Sequence, residues 1–138
     1  MFTGHCECNR VRYEVNGDIE DFSHCHCSQC RRLHGAAFAS FAGVARKDFQ
    51  YLSGESDIRI YASSKYNDRV FCGNCGSTIL VDTNREPEAL YLSMSTVDGE
   101  PNLPKGYHAF VGSKAPWYEI IDGLPEFSKG PPTPGDAV

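Results

Sequence analysis

Several things are missing from this chain, and each absence excludes a class of protein. No apolar run approaches the roughly 20 residues that a membrane helix needs, so a spanning segment is not expected. The opening stretch MFTGHCECNR has neither a basic leader nor an apolar signal region, which predicts a cytoplasmic protein. Arg and Lys are dispersed and the net charge is -5, so the basic footprint of a nucleic-acid binder is absent. No segment of ten or more residues keeps a clean helical period, and no repeat recurs at solenoid spacing. At 138 residues, with 41% hydrophobic and 22% charged residues, the chain is sized and composed for one soluble domain with a real core.

Strand signals are plentiful. Short β-branched and aromatic runs at 11–15, 38–44, 49–52, 58–61, 69–71, 77–81, 89–93 and 107–111 alternate with the breakers NGD, SGES, GNCG, DGEPNLP and DGLP. This predicts a mainly β fold of several short antiparallel strands. The one helical candidate is SQCRRLH at 28–34, about two turns with Ser28 as its expected N-cap. The Pro- and Gly-rich end of the chain predicts a flexible tail over 128–138, after a domain spanning 1–127.

Cysteine is the residue present in excess. Seven is an odd number, so complete pairing as disulfides is impossible, and a reducing compartment would not preserve such bridges. They fall into three packets: Cys6 with Cys8, then Cys25, Cys27 and Cys30, then Cys72 with Cys75. In extended backbone, residues i and i+2 share a face, so each C-x-C pair is a two-pronged clamp. The C-x-x-C of FCGNCGS is flanked by Gly73 and Gly76, which can adopt the positive φ angles of a tight metal-binding turn.

Two packets of two close a site of four thiolates, so the natural grouping is Cys6, Cys8, Cys72 and Cys75 around a structural zinc. Three cysteines are then left over. Three ligands plus one open position is the pattern of a catalytic zinc. Other readings stay open: buried free thiols, a redox C-x-x-C, iron–sulfur ligation, or closure of the second site by His24, His26 or His34.

Three thiolates leave a bound zinc with a formal charge of about -1, a poor generator of hydroxide but a good partner for a soft sulfur ligand. The implied substrate is a small thiol, and Arg31 and Arg32 directly after Cys30 would suit an anionic one. An ordinary solvated pair, or counter-charge for the cluster, is the plainer role for these two arginines. His26 lies between two ligands and should point away from their ion, beside the site or towards solvent, as should His5 and His24.

The order CxC, VRYEV, CHCSQCRR, GAAF, FCGNCGS, SKAPW and DGLPEF resembles the glutathione-dependent formaldehyde-activating family, which also includes the centromere protein V domain. The similarity runs from residue 4 to about 127. It implies a zinc-stabilised, β-tent-like fold with two Zn2+ per chain and the ligand division given above. It further implies carbon–sulfur lyase chemistry, the founding reaction being condensation of glutathione with formaldehyde to S-hydroxymethylglutathione. His108 and Trp117 match the family pattern and join Arg31 and Arg32 as substrate-site candidates. Asn9 departs from it, standing where members usually have Gly. The expected partners are a small thiol such as glutathione and a small aldehyde, with no nucleic acid and no membrane. The competing expectation is a non-enzymatic binding module in which both zinc sites are structural.

Overall fold

A computed structural model describes residues 1–130; residues 131–138, most of the expected tail, lie outside the described residues. The fold is mainly β. Strands β1 (Phe2–His5), β2 (Arg12–Val15) and β5 (Phe49–Ser53) form a three-stranded antiparallel sheet in the order β1-β2-β5. A second sheet contains β3 (Asp21–Cys25), β4 (Ala39–Ala45), β6 (Ile58–Ala62), β7 (Asn67–Cys72), β8 (Thr78–Thr83), β9 (Ala89–Ser93) and β10 (Tyr107–Ala109). Its order is β10-β3-β4-β9-β8-β7-β6, and only the β10/β3 pair is parallel. Among the described residues no helix is long and apolar enough to cross a membrane.

Period-two alternation decides where the core sits. Ala42, Val44, Leu80, Leu90 and Leu92 face one side of the large sheet and pack with Phe2, Tyr13 and Val15 of the small sheet. The intervening Phe41, Val81 and Tyr91 face the other side, where they meet Cys30. Each large apolar side chain buried this way contributes about 1.5–3 kcal/mol against exposure. The single α-helix among the described residues, α1 (Ser28–His34), therefore lies on the opposite face of the large sheet from the small sheet.

Two strands have no clear sequence signal. β1 carries Gly4 where the Tyr13 ring crosses, and a Cβ there would fall 2.3 Å from that ring and 2.6 Å from the Thr96 carbonyl oxygen. β3 is mostly polar, DFSHC, yet it is paired on both sides, with β4 and β10. Pairing on both edges, not an apolar pattern, makes it a strand.

Local geometry corrects three expectations. The α1 N-cap is Cys27, whose sulfur accepts from the Cys30 N–H, so Ser28 is already inside the helix. The helix ends on Gly35 in left-handed conformation, with its N–H donating to the Arg31 carbonyl. The strand expected over 107–111 stops at Ala109, because Phe110 adopts φ 56° and turns the chain. The carbonyls of Ser128 and Lys129 accept from the Gly112 and Phe110 N–H groups. Finally, only Gly76 of the FCGNCGS turn has positive φ; Gly73 is needed for close approach, since a Cβ there would meet the Asp57 carbonyl at 2.8 Å.

Candidate metal centre

The first cluster forms where the two sheets meet. β1 delivers Cys6 and the following turn Cys8, while β7 ends on Cys72 and its turn supplies Cys75. Asn9 makes the first turn possible with φ 69°, taking the left-handed conformation that glycine adopts most readily. All four sulfurs lie within 4.8 Å of one another. Cys6 Sγ to Cys8 Sγ is 3.6 Å and Cys8 Sγ to Cys72 Sγ is 3.8 Å. A tetrahedral zinc with Zn–S bonds of about 2.3 Å requires sulfurs about 3.8 Å apart, so the donor set fits that ion. The Val11 N–H donates to Cys6 Sγ at 3.3 Å, spreading thiolate charge into the backbone.

The second cluster holds Cys25, Cys27 and Cys30, again within 4.8 Å of one another. Cys25 closes β3, Cys27 caps α1, and Cys30 sits in its first turn. Among the described residues no histidine nitrogen or carboxylate joins these three sulfurs within that distance. His24 is bonded through Nδ1 to Ser40 Oγ at 2.7 Å, and the His34 ring stacks edge-on against Phe41 with centroids 5.3 Å apart. Hydrogen bonds from Cys25 and then Cys30 push the Cys27 thiol down to about 2, while the bond to Cys27 pushes Cys25 up.

The sequence reading did not single out Arg69. It lies in β7 beside Val70, and alternation turns it to the α1 face, where it is 6% exposed. Its Nη1 and Nη2 donate to Cys30 Sγ at 3.5 and 3.4 Å, Nη2 also to Gln29 Oε1 at 3.0 Å, and Nε to Ser63 Oγ at 3.3 Å. The available signal was a charged residue at an inward position of a strand whose neighbour Val70 fills the main core.

Arg31, Arg32 and Trp117 are brought together with Gly35 and Ala36 around a shallow cavity of about 250 Å³. Trp117 is 71% exposed, and Arg31 Nε donates to the His26 carbonyl at 3.4 Å, tying this rim to the cysteine segment. His108 is not part of that cavity lining. It is buried, with Nδ1 2.7 Å from His26 Nε2 and Nε2 2.8 Å from Asp122 Oδ2. His26 does not join the three sulfurs and is fully buried, so of its two expected settings, beside the site or towards solvent, the second does not hold. Burial first, then the neighbouring His108, pushes its pKa down to about 4. His5 pairs with Asp98 at 3.2 Å, away from the second cluster.

Residues 1–113 match the family described as glutathione-dependent formaldehyde-activating enzyme. The chain belongs to that family. Among its relatives is a putative glutathione-dependent formaldehyde-activating enzyme of Halomonas elongata, 28% identical over 127 residues, covering 87% of this chain and 81% of the relative. An uncharacterized lyase of Schizosaccharomyces pombe is 22% identical over 127 residues, covering 92% and 90%. A crystal structure of a Rhodobacter sphaeroides protein superposes with a TM-score of 0.61 at 26% identity, covering 71% of this chain and 89% of that one. The formaldehyde-activating family match spans all seven cysteines, both packets of the first cluster and the whole of the second.

Proposed function

We propose that the protein is a zinc-dependent enzyme of carbon–sulfur lyase type that makes or breaks adducts between a small anionic thiol, such as glutathione, and a small aldehyde, such as formaldehyde. One observation carries the reading. Four cysteines close on themselves while Cys25, Cys27 and Cys30 converge as three, with no fourth protein ligand among the described residues. In this reading Cys6, Cys8, Cys72 and Cys75 hold a structural zinc, and the three-cysteine group holds a second with its remaining position for substrate. Zinc there would supply a soft Lewis acid that favours the deprotonated form of an incoming thiol.

The chain's own residues bind and orient. Arg31 and Arg32 place two guanidinium groups at the rim of the cavity, where forked donors suit carboxylates of the thiol. The exposed Trp117 indole offers an apolar wall beside them. In the forward reaction the thiol sulfur bonds to the carbonyl carbon, the carbonyl π bond opens onto oxygen, and the thiol proton ends on that oxygen. Cleavage is the same sequence reversed. Seven free thiols persist in a reducing compartment, which supports a cytoplasmic setting.

The test is exchange of carbon-13 formaldehyde into its hydroxymethyl adduct with glutathione, followed by NMR. The expected result is a protein-dependent rate well above the uncatalysed one, abolished by Cys27→Ser. Arg31→Glu should raise KM for glutathione but not for 2-mercaptoethanol, which has no carboxylate. A wild-type rate equal to buffer alone, with both metals equally resistant to chelation, would instead mark a binding module.

A further inference from the structure

Among the described residues Arg69 is the only arginine whose guanidinium donates to a sulfur of the second cluster, and every one of its guanidinium nitrogens is engaged. Gln29 and Ser63 grip its outer edge, so both inner N–H groups face Cys30 Sγ and cannot swing to solvent. A buried charge is costly unless a partner of opposite sign is present. Among the described residues the four-cysteine cluster has no such cation; its sulfurs are bonded by the Val11 N–H and by Ser77 Oγ.

We propose that Arg69 is a charge-setting residue of the three-cysteine site: its fixed guanidinium cancels the net negative charge that a divalent ion and three thiolates would carry, and so permits an anionic fourth ligand. Two positive charges against three negative leave one negative; Arg69 returns the loaded site to neutrality. An anion approaching a neutral site meets no net repulsion, whereas the same site without Arg69 opposes it. Arg69 acts through the Cys30 sulfur that its Nη1 and Nη2 bond, so it is a positioning residue. The inference rests on Cys25, Cys27 and Cys30 forming a metal site with an open position.

The experiment uses full-length protein loaded with cobalt(II), whose visible spectrum reports the ligands at each site. Two probes are titrated: azide, an anion that is no thiol, and 2-mercaptoethanol, whose only charge on binding is its sulfur. Arg31 and Arg32 therefore have no carboxylate to recognise. Arg69→Met keeps most of the packing and removes the charge; Arg69→Lys keeps the charge. The expected result is azide and thiol binding weakened about tenfold or more in Arg69→Met and largely recovered in Arg69→Lys. A merely structural role would weaken both variants alike.

Binding within twofold of wild type in Arg69→Met overturns the inference. If wild type takes azide but no thiol, the proposed function fails while the Arg69 comparison still decides the inference. If wild type takes neither probe, there is no open position and both fail. Should Arg69→Met not fold, as judged by loss of the four-cysteine cobalt bands, Gln29→Ala is titrated instead. It loosens the guanidinium from outside, and unchanged anion affinity there would overturn the inference equally.

Discussion

His26 Nε2 and His108 Nδ1 lie 2.7 Å apart with both side chains fully buried, so the imidazole between Cys25 and Cys27 is anchored to the edge strand β10. Asp122 Oδ2 accepts from His108 Nε2, and the hydrogen bond holds the Asp122 carboxyl below its usual range. With that proton on Nε2, His108 Nδ1 accepts from His26 Nε2–H. Replacing His108 by Ala removes a buried ring and orphans His26, whose Nδ1 already lacks a partner. The expected cost is about 3 kcal/mol, read by chemical denaturation of the metal-loaded protein.

The two clusters should respond differently to loss of a thiolate. Cys72→Ser opens the four-cysteine group at the junction of the sheets, and a collapse of folding is expected. Cys27→Ser keeps a good N-cap while removing one of the three sulfurs proposed to hold the second metal, so a folded protein with one metal per chain is expected. Cys27→Ala loses the cap as well and should be less stable than Cys27→Ser by about 1 kcal/mol. Metal content by mass spectrometry, together with thermal melts, checks all three.

Stability should fall in mild acid. Burial pushes both His26 and His34 down to about 4 from the ordinary 6.5, so the unfolded chain takes up their protons first. Their contribution is complete above about pH 6.5 and is lost as the pH falls towards 4, with up to about 2 kcal/mol from each gone by pH 5. Metal ligands also compete with protons there, so the difference from His34→Gln isolates one histidine. The variant should show a shallower loss between pH 7 and 5; an identical slope would refute this account of His34.

Gly4→Ala tests the route by which β1 carries Cys6 into the first cluster. The new methyl would collide with the Tyr13 ring, which is buried and bonded to Thr96 Oγ1 at 2.8 Å, and with the Thr96 backbone. Neither neighbour can yield freely, and a loss of about 2–3 kcal/mol is expected, with weaker retention of the structural metal. Urea denaturation with and without chelator measures both.

The β class, most strands, the extent of the helix and the three cysteine packets are local properties, carried by period-two alternation, turn residues and ligand spacing. They were legible in the chain because C-x-C and C-x-x-C geometry depends on a few consecutive backbone angles. β1 and β3 were not, since FTGH and DFSHC become strands only through pairing with segments distant in sequence. The same limit hid the charge around the second cluster. Sequence proximity pointed to Arg31 and Arg32, yet a helix turns both away to the cavity rim. Arg69, 39 positions after Cys30, reaches its sulfur. Which cation is buried against a thiolate depends on strand register and on which face of the sheet the helix covers, and only the tertiary structure decides those.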